Sequence, residues 1–83
     1  SAADLSRPDE DAAELWEAVG QLPEKLRIPI HLYYAEGYRT EEIGMLLGVP
    51  AATVRTRLRR ARGKLKDILG GAEDGIEPLP ELE

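Results

Sequence analysis

The stretch TEEIGMLLGVPAATVRTRLRRARGKLKDIL, residues 40–69, decides how the chain folds. Thr40 is a suitable N-cap, and Glu41 and Glu42 fall in the following turn, where carboxylates offset the positive end of a helix dipole. Ile43, Leu46 and Leu47 supply one apolar side, and Gly48 supplies the left-handed turn that ends the element. Val49-Pro50 makes a brief connection. From Ala51 to about Leu69 a longer helix is predicted, with Val54, Leu58, Ala61, Leu65 and Ile68 at spacings of 4, 3, 4 and 3 facing the core. A short helix, a turn and a longer helix form a helix-turn-helix, in which the second helix enters the major groove of DNA.

Spacing alone is weak evidence, and the side chains on the rest of the long helix sharpen it. Arg55, Arg57, Arg59, Arg60, Arg62, Lys64 and Lys66 fill the surface that the apolar stripe leaves free. Arg55, Arg59, Arg62 and Lys66 make one ridge, with Thr56 and Arg60 on the adjoining one. Solvated helices usually mix signs, whereas residues 49–69 carry 7 basic side chains and 1 acidic. The planar fork of arginine pairs with two acceptors on a guanine edge and also holds phosphates.

The net charge of -5 looks unsuited to a polyanion until it is divided along the chain. Residues 1–48 hold 10 acids and 4 bases, and residues 70–83 hold 5 acids and no base, so the positive charge is concentrated in one segment. A polyanion responds to that local field.

Upstream, residues 1–7 are small, polar and unpatterned, and are expected to form a linker. Ser6 and Asp9 have capping-box spacing and Pro8 suits an early helical turn, so a first helix is predicted from there to Gly20, with Ala12, Leu15, Trp16 and Val19 on its apolar stripe. Pro23 opens a second helix carrying Leu22, Leu26, Ile30 and Tyr33, with Glu36-Gly37 as its stop. Pro29 lies inside it, which predicts a kinked or locally irregular helix rather than two. Downstream, residues 70–83 combine Gly, Pro and acid with too few apolar groups to pack, and read as a disordered acidic tail.

The fold class expected is therefore all-α, a single four-helix domain over residues 8–69, winged-helix-like in its three-helix core or of a related type, with one added N-terminal helix. With no cysteine there is no disulfide and no thiolate ligand, and a reducing compartment, the cytoplasm, is expected. No apolar run approaches the roughly 20 residues that span a bilayer. The chain begins at Ser1 and ends Leu82-Glu83, which suggests a piece excised from something longer.

His31 is the only histidine, so a zinc site is not expected. Asp9-Glu10-Asp11 and Glu41-Glu42 are explained by helix N-termini rather than by acid-base chemistry, and no catalytic site and no cofactor are expected. Trp16 and Tyr33 read as core or core edge; Tyr34 and Tyr38 lie off the stripe, where a partner could touch them.

The runs Leu22-Pro23-Glu24-Lys25, Tyr33-Tyr34-Ala35-Glu36-Gly37-Tyr38, Thr40-Glu41-Glu42-Ile43, Leu47-Gly48-Val49-Pro50, Thr53-Val54-Arg55 and Arg57-Leu58-Arg59-Arg60-Ala61-Arg62-Gly63-Lys64-Leu65 together resemble region 4 of extracytoplasmic-function sigma factors. The resemblance covers about residues 10–69, with its motifs in order and in register. It implies recognition of the promoter's minus-thirty-five element and docking on the beta flap of RNA polymerase, with an anti-sigma factor as a possible masking partner on the first two helices. It implies base reading by Arg55, Thr56, Arg59 and Arg60, phosphate contacts by Arg57 and Thr53, backbone contacts by Arg39 and Thr40, and a place for Arg62 on the same DNA-facing ridge. Pro50 stands where many relatives have serine, and Gly63 falls mid-helix. Region 2, which opens the promoter, is absent from these residues.

Two other readings stay open. One is a helix-turn-helix output domain of another transcription regulator, of the two-component or quorum type. The other is a protein-interaction module that holds polymerase or an anti-sigma factor without reading DNA.

Overall fold

The computed structural model describes residues 12–70. The predicted linker, the Ser6/Asp9 capping box, the Pro8 start and the acidic tail beyond Gly70 lie outside the described residues. Within them the chain is built from helices and turns: α1 at residues 12–20, α2 at Glu24–Ile30, α3 at Thr40–Leu47 and α4 at Ala51–Ile68.

α1 contributes Leu15, Ala18 and Val19 to the core, and two tight backbone bonds, Gln21 N–H to Ala18 O and Leu22 N–H to Val19 O, both 3.0 Å, turn the chain out of it. Pro23 caps α2, one position before the helix proper, and Leu26, Pro29 and Ile30 are buried. Past Pro29 the helix does not break. It widens into a π-helical turn, His31–Ala35, closed by Glu36 N–H to His31 O at 3.1 Å. The irregularity expected near Pro29 thus takes the form of a wider turn. Three consecutive side chains there, Leu32, Tyr33 and Tyr34, all pack against the core, which a regular 3.6-residue turn does not readily allow.

Thr40 is not the N-cap of α3. Arg39 is, with extended backbone (φ -82, ψ 160), and its N–H donates to Glu42 Oε1 at 2.8 Å. Arginine has no side-chain acceptor, so this is half of a capping box. Thr40 instead opens the helix as a buried residue, 5% exposed. α3 ends at Gly48 with φ +73, the left-handed stop expected from the sequence, and Val49 N–H closes the turn on Gly44 O at 2.9 Å.

α4 packs across both α2 and α3. Val54, Leu58, Ala61 and Leu65 are wholly buried with Ile30 and Ile43, and this cluster is the centre of the core. Each of its larger aliphatic side chains contributes about 1.5–3 kcal/mol through burial. Ile68 does not complete the stripe. It is 39% exposed, and Leu69 takes the half-buried place against the core. The heptad-like spacing extrapolates past the last residue that α2 and α3 can cover, so the periodicity outruns the partner surface.

Candidate nucleic-acid interface

The buried stripe of α4 fixes which way everything else on that helix points. With Val54, Leu58, Ala61 and Leu65 inward, the opposite side carries Ala52, Thr56, Arg59, Arg60, Gly63, Lys64 and Asp67, all exposed. Thr53, Arg55, Arg57, Arg62 and Lys66 are half-buried along its two flanks. Seven cations thus crowd one helix, with no acid in its first turn and Asp67 near its far end.

The arginines divide into two kinds. Arg55 Nη1 donates to Thr40 Oγ1 at 3.4 Å, reaching from α4 to the first residue of α3. Arg62 Nη1 donates to Tyr34 Oη at 3.3 Å, reaching to the π-helical turn. Both bonds are long, and each ties its guanidinium to another part of the scaffold. Arg59 and Arg60 stand free of the scaffold on the outward face, beside Thr56. The ridge read from spacing, Arg55-Arg59-Arg62-Lys66, therefore mixes two arginines that brace the helix with others that project from it.

Two further sequence-predicted residues lie at the entry to α3. Arg39 is exposed, with Nε 3.7 Å from Glu42 Oε1. Thr40 is buried and its hydroxyl accepts a hydrogen bond from Arg55. The N-terminus of α3 already has Glu41 and Glu42 in its first turn, whereas that of α4 has no acid and no side-chain cap. An anion is therefore favoured at α4 over α3.

Ala52 is a member of the exposed face that the sequence motifs do not mark. It lies one turn before Thr56, and a signal for it exists: residues opposite a buried 54-58-61-65 stripe are 52, 56, 59 and 63. Lys64 is equally exposed and joins the same cationic surface. Tyr34, read as lying off the apolar stripe where a partner could touch it, is half-buried against the core, edge-to-face with Tyr33 at 4.8 Å between ring centres. Tyr38 is exposed at 40%.

The two helices before the helix-turn-helix present a different surface. Trp16, Val19, Gly20, Arg27, Ile28, His31 and Leu32 line an open, mainly apolar groove of about 430 Å³. Trp16 meets the ring of His31 edge-on at 6.0 Å, and His31 Nε2 lies 3.2 Å from Glu36 Oε2. Arg27 Nη1 donates to Leu22 O at 3.5 Å. Among the described residues no group of three or more His, Cys, Asp or Glu side chains is placed to hold a metal ion, and no helix is long and apolar enough to cross a membrane.

This arrangement has counterparts among known proteins. The chain is 44% identical over 57 residues to the ECF RNA polymerase sigma factor SigE of Mycolicibacterium smegmatis, a match covering 69% of this chain and 22% of that protein. It is 41% identical over 61 residues to the RNA polymerase sigma-H factor of Pseudomonas aeruginosa, covering 74% of this chain and 32% of that protein. The same identity and length relate it to the probable RNA polymerase sigma factor RfaY of Xanthomonas campestris, covering 74% of this chain and 15% of the relative. It therefore spans a third or less of the length of these relatives. No solved structure matches it. Residues 12–65, from α1 through the buried Leu65 of α4, match the family described as Sigma-70, region 4. With its helix-turn-helix, its cationic α4 and that match in hand, the chain belongs to the sigma-70 region 4 family.

Proposed function

We propose that this domain reads the minus-thirty-five element of promoter DNA as region 4 of an extracytoplasmic-function sigma factor, and so directs RNA polymerase to its start sites in the cytoplasm. The observation that carries the reading is the outward face of α4, where Thr56, Arg59 and Arg60 project from a helix whose other side is locked into the core. Helix-turn-helix proteins place such a face in the major groove, where base edges differ in their donors and acceptors. Arg59 and Arg60 are assigned to base edges together with Thr56. Arg55 reads with the donors that Thr40 leaves unused. Arg57 and Thr53, on the flank, suit phosphates, and Arg62 adds charge at the groove edge. Arg39 reaches the DNA backbone from the entry to α3, while Thr40 acts through Arg55 as a positioning residue. No step of this function calls for bond-making by the domain, and it is read as a binding module rather than an enzyme.

The apolar groove of Trp16, Val19, Ile28 and Leu32 is on the two helices that the reading gives to a protein partner. The flap of the polymerase beta subunit is its proposed occupant, with an anti-sigma factor as a competitor for the same region.

Selection from random duplexes at low salt, followed by anisotropy with the winning sequence, tests the reading. Each of Arg59→Ala and Arg60→Ala is expected to weaken the selected duplex by about 1–3 kcal/mol and to relax preference at one base position. Wild-type affinity for every duplex in both variants overturns the assigned face.

A further inference from the structure

Among the described residues, five of the cations of α4 have no acid beside them. Ion pairs join His31 to Glu36 and Arg39 to Glu42, away from α4. Arg57, Arg59, Arg60, Lys64 and Lys66 have no anionic partner among these residues. Yet the sequence that follows α4 directly is the most one-sided in the chain, with Glu73, Asp74, Glu77 and Glu81 and no base after Lys66.

The junction favours their meeting. α4 ends at Ile68 with Leu69 as its C-cap, and Gly70 follows with φ +97, a conformation that swings the backbone out of the helical path. Gly71 comes next. From Gly70 back to Arg59 is about 17 Å along the helix at ~1.5 Å per residue. From Glu73 to Glu81 an extended chain covers about 26 Å at ~3.3 Å per residue. The acids can therefore lie beside Lys66, Lys64, Arg60 and Arg59 in turn, with length to spare.

We infer that the segment bearing Glu73, Asp74, Glu77 and Glu81 occupies the cationic face of α4 within the same chain, so that DNA binds by displacing it. The inference rests on the reading of α4 as the DNA-binding helix. Tethering holds the acids at an effective concentration of order millimolar, which suits a contact that must yield to a duplex. The competing berth is the apolar groove, since Ile76 and Leu79 recur at a period of three among Pro78 and Pro80. Charge decides between them. In the groove Arg27 is already drawn to Leu22 O and His31 to Glu36, whereas Arg57, Arg59, Arg60, Lys64 and Lys66 have no anionic partner among the described residues.

The full chain and its E73Q/D74N/E77Q/E81Q variant are compared with a labelled duplex, beside E14Q/E17Q/E24Q as a control for net charge on the α1–α2 side. The tail variant is expected to bind about three- to thirtyfold more tightly at ~50 mM salt, the gap closing above ~0.3 M as screening removes the contact. Without DNA, amide shifts between the tail variant and the parent chain are expected at residues 56–66 in low salt. An equal gain in the control, an unchanged affinity in the tail variant, or shifts confined to Trp16, Ile28 and Leu32, overturns the inference. Shifts on α4 in a chain that binds no duplex would leave the intramolecular contact standing and sink the DNA reading instead.

Discussion

Gly44 sits inside α3, where a glycine costs about 1 kcal/mol relative to alanine, and the structure gives the reason. A Cβ built there would stand 2.6 Å from Val49 O in the turn after α3 and 3.3 Å from Ala51 N at the start of α4, both backbone atoms. Neither can step aside as a flexible side chain would. Gly44→Ala is expected to destabilise the fold by about 1–3 kcal/mol, as overpacking does. A fall in melting temperature of roughly 5 °C or more, followed by circular dichroism, checks this. Gly63 is the counterpart on α4. It is exposed and helical, and a methyl group added to it would meet nothing within 4 Å. Gly63→Ala is expected to raise stability by about 0.5–1 kcal/mol in the same assay. At this scale the sequence is legible wherever a residue's role is local. Gly48 as a left-handed stop needs only its own backbone. Thr40 misleads because threonine suits an N-cap in isolation, whereas here Arg39 takes that place, Glu42 satisfies its N–H, and the Thr40 hydroxyl serves Arg55 from another helix.

Among the elements, α4 is the most readable because helical period is a local property, and Val54, Leu58, Ala61 and Leu65 are buried as their spacing requires. Ile68 continues the arithmetic but not the contact, and the π-helical turn at His31–Ala35 has no marker beyond Pro29. Both depend on what the neighbouring helices can cover. The division of the arginines is likewise invisible in the sequence, since Arg55 and Arg62 differ from Arg59 and Arg60 only in what stands across from them. The joint between α4 and the other two helices makes its own demand. Leu58 is fully buried at the centre of that joint, so Leu58→Ala is expected to cost about 2–5 kcal/mol through lost burial and the cavity left behind. In so small a domain that consumes much of a total stability on the order of 5–15 kcal/mol. Loss of a cooperative thermal transition, or a urea midpoint close to zero, is the expected result.

For the whole molecule, a net charge of -5 coexists with a cationic helix because charge is segregated along the chain. The acids of α1 and α2 are carried on another part of the domain, and α4 keeps its own field within about one Debye length, ~8–10 Å at physiological salt. DNA affinity is therefore expected to fall steeply with salt, with a log-log slope of about -4 to -5 if four to six phosphates are neutralised. Arg57→Ala, at the flank assigned to phosphate, is expected to make that slope shallower by about 1 while weakening all duplexes alike. Titrations over a range of potassium chloride concentrations measure both.

The contact of Gly44 with the carbonyl of Val49 has a consequence for how such a domain can diversify. Main chain lies so near main chain there that any side chain at 44 would push α3 away from the turn leading into α4, and the angle between the two helices would have to change with it. The open positions at 52, 56, 59 and 60 carry none of that constraint. Descendants of this sequence can exchange those letters one at a time, as type is changed in a fixed press, while the frame that holds them stays the same.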